Sequence, residues 1–239
     1  SVTTITGTTG ADGKATATVT STTAGTYVVT AKVNGAETRK NTTFVADATT
    51  AEITDANLTV NPDNSPANGT AKNGVTAVVT DAQGNLVPGA AVSFTVTDGA
   101  SITTLTGTTG ADGIATAEVT STTAGTYLVT ATVNGNATSR NTTFVADETT
   151  AEITDANLTV DPDNSPANGM AKNGVTAIVT DAQGNRVPNA AVSFTMAAGA
   201  TLTTLTGTTG ADGIATAEVT STTAGTYLVT ATVNGNATS

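Results

Sequence analysis

The chain has 239 residues, with eight Lys and Arg against nineteen Asp and Glu, a net charge of −11 and a pI near 4.1. That balance argues against nucleic-acid phosphates and anionic lipid as partners, and the absence of Cys and His removes thiol and imidazole nucleophiles, Cys/His zinc sites, haem ligation and disulfides. No stretch approaches the roughly 18 apolar residues of a membrane span and no basic segment precedes an apolar one at the start, so a soluble piece of a longer chain, with no membrane insertion of its own, is expected.

Sixty residues are Thr, with Val as the frequent neighbour. Both are β-branched, stiff at χ1 and suited to a pleated surface. Charged residues make up 11% of the chain, so the long side chains that decorate exposed helices are scarce. Apolar content of 38%, arranged in alternation, speaks for packed sheets rather than disorder. The fold class is all-β.

The chain is internally repetitive. GTTGADG begins at Gly7, Gly107 and Gly207, and STTAGTY at Ser21, Ser121 and Ser221, a period of 100 residues without insertion or deletion. Residues 48–139 differ from 148–239 at eleven of 92 positions, and 1–47 differ from 101–147 at ten. Solenoid and propeller units are shorter, so each period is a domain with its own core. The seam falls in the acidic, Thr-rich stretch after Phe44-Val45-Ala46 and Phe144-Val145-Ala146. Residues 1–47 are then the C-terminal half of one domain, 48–147 a complete domain, and 148–239 a domain lacking its last strand. Half a sandwich cannot bury its own inner face. Either the native chain continues in both directions or the missing strands come from a neighbouring molecule.

In chain order, the complete period opens with Leu58 and Val60 about Thr59, a short strand, then the loop Pro62–Pro66. Residues 74–80 resume the strand pattern, and Asp81-Ala82-Gln83-Gly84-Asn85 supplies a turn, with Gly84 available for positive φ. Val92, Phe94 and Val96 alternate with polar neighbours over 92–97. Ile102 and Leu105 mark a short strand before the turn Gly110–Gly113. Ala115, Ala117 and Val119 alternate over 115–120, and Tyr127, Val129, Ala131 and Val133 over 127–133. Asn134-Gly135 is a strong hairpin signal, and Thr143-Phe144-Val145 closes the period. Strand signals recur roughly every eight to twelve residues, as in a sandwich, with Val75, Phe94, Val119 and Val129 expected in the core.

The runs KNGVTAVVTDAQGNLVPGAAVSFTV and TGTTGADGIATAEVTSTTAGTYLVTATVNG resemble the bacterial Ig-like domain of group 1, the repeat that builds the stalks of intimin/invasin-family adhesins. The resemblance covers essentially the whole chain. It departs at Leu86 and Arg186, where the family often has Pro. It implies immunoglobulin-like β-sandwiches arranged end to end, displayed outside a Gram-negative cell and anchored to its outer membrane through a domain outside this segment. Tyr127 stands two residues before the site that holds a Cys in antibody domains, here Val129, which suggests a tyrosine corner with the hydroxyl bonded to backbone.

Candidate chemistry is sparse. Asp147, Glu148, Glu152 and Asp155 gather at a junction and admit two readings, a Ca²⁺ site needing about six to eight oxygens or a solvated acidic linker. Ala48 replaces Glu148 in the earlier copy. Asp112 in Gly-Ala-Asp-Gly reads as a turn residue. Asp112 with Glu118 as a glycosidase pair would need aromatic platforms, and the chain has no Trp. The Asn-x-Thr triplets at Asn41, Asn57, Asn68, Asn136, Asn141, Asn157 and Asn236 are expected by chance in so Thr-rich a chain. Lys72 and Lys172, conceivable isopeptide donors, sit in a loop rather than an apolar strand. No catalytic, cofactor-binding or metal residue is therefore assigned, no cofactor is expected, and the chain is read as no enzyme.

Near-identity of adjacent copies suits repeats that add length, roughly 35–45 Å per sandwich. The junction 144–153 has no Gly or Pro, so the last strand of one domain should lead almost directly into the next, in a near-linear array. The expected function is that of stalk spacers in a cell-surface adhesin, with neighbouring repeats as partners and a host or cell-surface receptor bound by a domain outside this segment. The alternatives are a binding module whose loops contact a receptor, a glycan or another rod, and a segment of a phage or pilus-like assembly.

Overall fold

The computed structural model describes residues 1–239. Strands β1 (Val2–Thr4) and β2 (Ala17–Val19) pair antiparallel, and β3 (Gly25–Val33) with β4 (Ala36–Phe44) forms a hairpin. Eight strands follow: β5 (Leu58–Val60), β6 (Ser65–Pro66), β7 (Asn73–Val78), β8 (Ser93–Val96), β9 (Ser101–Thr106), β10 (Ile114–Thr120), β11 (Gly125–Val133) and β12 (Asn136–Val145). They form two four-stranded sheets, ordered β5-β7-β10-β9 and β6-β12-β11-β8. The pattern recurs in β13 (Leu158–Val160), β14 (Asn173–Ile178), β15 (Ser193–Met196), β16 (Thr201–Thr206), β17 (Ile214–Thr220), β18 (Val229–Val233) and β19 (Asn236–Thr238), with sheets β13-β14-β17-β16 and β15-β18-β19. Helix is confined to four three-residue 3₁₀ turns, at 48–50, 55–57, 148–150 and 155–157.

Period-two alternation places the core. In β10, Ala115, Ala117 and Val119 point inward while Thr116, Glu118 and Thr120 stay partly exposed. Val75, Phe94, Val119 and Val129 are all buried. One core of 18 buried residues runs from Ala51 to Phe144, and a second of 14 from Ala146 to Val233. Leu105 is exposed because it is the unpaired residue of a β-bulge in β9, with Thr104 opposite Ala117 and Thr106 opposite Thr116, and only Ile102 of that strand packs against the core. Asn134 and Gly135 both take positive φ, 49° and 78°, the type I′ geometry whose twist matches the flanking strands.

Two close contacts fix the loop 61–74. A Cβ on Gly74 would lie 2.6 Å from the Asn61 carbonyl oxygen, so the chain can cross itself there only at glycine. Asn73 is wholly buried, and its amide donates to Asp63 Oδ1, Thr142 Oγ1 and the Thr143 carbonyl, which satisfies a polar group that would otherwise be costly inside.

The link between periods departs from the expected near-direct strand-to-strand passage. After β12 the chain makes the 3₁₀ turn 148–150, then a bridge between Glu152 and Thr180, then the turn 155–157, before β13 begins. Asp147 caps the first of these turns, its carboxylate accepting the Thr149 N–H.

Candidate functional site

The most organised polar cluster lies where one period meets the next, built from the turn Asp81–Asn85. Asp81 Oδ1 accepts the N–H groups of Gln83 at 2.9 Å and Asn85 at 2.8 Å, a local Asx-type closure that Gly84 completes at φ 81°. Asp81 Oδ2 reaches outside the turn, accepting the Asp47 N–H at 3.0 Å and the Asn85 amide at 2.9 Å. Asn85 then spans the gap to the preceding unit. Its Oδ1 accepts the Ala24 N–H at 2.8 Å, and its Nδ2 donates to the Thr22 carbonyl at 3.0 Å.

Asp81 is 3% exposed. The Asn85 amide, helped by the N–H groups of Asp47, Asn85 and Gln83, outweighs burial and holds its carboxyl at about 2, down from an ordinary 3.8.

The second junction repeats these contacts. Asp181 Oδ1 accepts from Gln183 and Asn185 N–H, both at 2.9 Å, and Oδ2 accepts the Asp147 N–H at 2.9 Å. Asn185 takes the Ala124 N–H at 2.8 Å and donates to the Thr122 carbonyl at 3.1 Å. The linker joins in: Asp147 accepts from Thr149 Oγ1 at 2.6 Å and from Asn68 Nδ2 at 3.2 Å, and Thr150 Oγ1 accepts the Ala182 N–H. The Thr149 hydroxyl and then the Asn68 amide hold the Asp147 carboxyl below the usual carboxylate range, against the effect of burial.

The loop that receives Asn185 is shaped by the tyrosine corner. The Tyr127 hydroxyl donates to the Thr123 carbonyl at 2.7 Å, and Tyr27 and Tyr227 make the same bond to Thr23 and Thr223 at 2.9 Å. The suggested bond to backbone is thus made in all three copies.

The four junction carboxylates do not converge. Asp147 is buried in the joint, which corrects its reading as part of a solvated linker, while Glu148, Glu152 and Asp155 are exposed, and no group of three or more Asp and Glu is gathered anywhere in the fold. Asp112 closes its own turn by accepting the Ile114 N–H. Glu118 pairs with Lys72 at 2.6 Å, as Glu218 does with Lys172, so these lysines are surface ion-pair partners.

Sequence reasoning saw the turn Asp81–Asn85 but not its reach. One signal was available: Asp-Ala-Gln-Gly-Asn is unchanged between copies while positions 86 and 89, just beyond it, differ. Copies so alike elsewhere mute that signal, and turn propensity already accounts for each residue.

The chain is similar to known proteins along nearly its whole length. The bacterial Ig-like domain (group 1) family matches residues 55–145 and 155–239. The inverse autotransporter adhesin YeeJ of Escherichia coli (strain K12) is 34% identical over 239 residues, covering 95% of this chain and 10% of that protein. The crystal structure of invasin, a bacterial integrin-binding protein, aligns with a TM-score of 0.62 at 26% identity, covering 99% of this chain and 50% of that one. InvD of Yersinia pseudotuberculosis aligns at 0.56 and 27% identity, over 78% of this chain and 56% of that one. The chain thus spans a tenth of its curated relative and half of the invasin structure. Its fold is that of tandem Ig-like β-sandwiches arranged end to end.

Proposed function

The chain belongs to the bacterial Ig-like domain (group 1) family, and from that premise we propose that it is a run of stalk spacers in a cell-surface adhesin. It is not an enzyme. Residues 48–147 are one complete spacer, 1–47 the C-terminal half of the one before, and 148–239 a third, in which the last strand expected to be missing is represented by β19, Asn236–Thr238. The observation that carries this reading is the repetition of one joint: Asn85 and Asn185 hold the preceding unit by the same two bonds, at 2.8 and 3.0 Å and at 2.8 and 3.1 Å. A contact made head to tail in the same way at each step, without closing on itself, propagates a line. Units that must only add length have no reason to differ in a local surface patch.

The adhesin relatives support display on the cell surface, with anchoring to a Gram-negative outer membrane and receptor binding assigned to domains outside this segment. The test is competition. The isolated 239-residue chain, added in excess, is expected to leave attachment by the full-length adhesin unchanged. Inhibition of attachment would instead make the repeats a binding module.

A further inference from the structure

We infer that the tyrosine corner is the positioning element of the joint: Tyr127 and Ser121 hold two consecutive peptide planes in the one orientation that the Asn185 amide of the following repeat can clasp. The inference rests on the reading of the joint as a fixed connector. In an Ig-like sandwich the corner ties a loop to its own domain. Here each tied peptide also faces the next domain. The Thr122–Thr123 peptide donates its N–H to Ser121 Oγ at 3.0 Å and offers its carbonyl to Asn185 Nδ2 at 3.1 Å. The Thr123–Ala124 peptide offers its carbonyl to the Tyr127 hydroxyl at 2.7 Å and its N–H to Asn185 Oδ1 at 2.8 Å.

A peptide unit is planar and stiff. Fixing one edge of each plane from inside the first sandwich therefore aims the other edge at the second. The ring itself has little freedom. Gly99, at φ 96°, packs so closely that a Cβ there would come within 3.0 Å of Tyr127 Cε1. The Ser121 hydroxyl, 3.1 Å from the Tyr127 hydroxyl and 2.9 Å from the Gly99 carbonyl, closes the set.

The first junction has the same clamp. Thr23 N–H meets Ser21 Oγ at 3.1 Å and the Tyr27 hydroxyl meets the Thr23 carbonyl at 2.9 Å, with Asn85 on the opposite edges. Because Asn185 reads backbone alone, the partner this loop fits is any repeat that presents an Asp-x-x-Gly-Asn turn, whatever its surface sequence.

The test measures orientation rather than folding. The chain has no cysteine of its own, so spin labels placed through Thr95→Cys and Thr195→Cys, both exposed, report the distance between two sandwiches in the full chain. Tyr127→Phe, Ser121→Ala and Asn185→Ala are each expected to widen the distance distribution about twofold. Tyr127→Phe combined with Asn185→Ala is expected to widen it no further than Asn185→Ala alone. Val129→Ala, which weakens the same core without touching the loop, should leave the width unchanged. A Tyr127→Phe or Ser121→Ala distribution no wider than that of Val129→Ala would overturn the positioning role while leaving the Asn185 joint standing. A parent chain already as broad as Asn185→Ala would sink the fixed connector itself.

Discussion

The hairpins β3–β4 and β11–β12 are nearly the same sequence in two surroundings. Their registers match, from Gly25 opposite Phe44 to Val33 opposite Ala36, and from Gly125 opposite Phe144 to Val133 opposite Asn136. Their Tyr–Phe pairs are both edge-to-face, with centroids 6.0 and 6.2 Å apart. Yet Val33 is 67% exposed where Val133 is 1%, and no residue before Ala51 is buried. Hairpin, aromatic pair and tyrosine corner are therefore properties of local sequence, whereas burial comes with strands β5 to β8, which have no counterpart within residues 1–47. The two hairpins share the local level in full, and only the second has the enclosing core as well.

The sharpest way to break that comparison is a charge on the shared inner face. Val129→Asp buries an unpaired carboxylate where the parent residue is fully enclosed and is expected to cost about 3 kcal/mol or more, enough to prevent folding of the middle sandwich. Val29→Asp, at a half-exposed site, should cost under about 1 kcal/mol. Denaturant unfolding of both variants measures the pair, and equal losses would mean that residues 1–47 are packed as tightly as 101–147.

A smaller effect is expected from the corners. Tyr127→Phe removes a buried hydrogen bond and should cost about 1–1.5 kcal/mol, against about 0.5 kcal/mol or less for Tyr27→Phe, whose hydroxyl has water as an alternative.

Acid separates the joint from the cores. Asp81 has a folded pKa of about 2, below its ordinary 3.8, so the unfolded chain binds the proton more readily. Its contribution is complete above pH 3.8 and is lost as pH falls through about 2. Melting followed from about pH 5 downward should fall more gently below pH 3.8 in Asp81→Asn than in the parent chain. An identical decline in both would show that this carboxylate is not coupled to folding.

The smallest effect is that of calcium. With Asp147 engaged by Thr149 and Asn68 and its acidic neighbours dispersed, millimolar Ca²⁺ is expected to move Tm by less than about 1 °C. A clear rise reversed by chelator would require a native-state site, since ligand binding stabilises in proportion to ln(1 + [L]/Kd).

Much of the fold was legible in the sequence because period-two alternation and Asn-Gly turns act over short range. Val75, Phe94, Val119 and Val129 follow from phase alone. The joint was less legible. An Asp opening a turn and an Asn closing it look complete as local chemistry, and nothing in their spacing says that Asn85 spends its amide on Thr22 and Ala24, more than sixty residues away. Asp147 misled for a related reason: a carboxylate in an acidic run reads as solvated until the turn it caps and the Asn68 amide it meets are in place.

Whether one joint repeated makes an extended rod is read from small-angle scattering on chains of increasing repeat number. The maximum dimension is expected to grow in proportion to the number of repeats, by roughly 35–45 Å for each. Growth near the cube root of that number would mean that the sandwiches fold back on one another, and would contradict the rod.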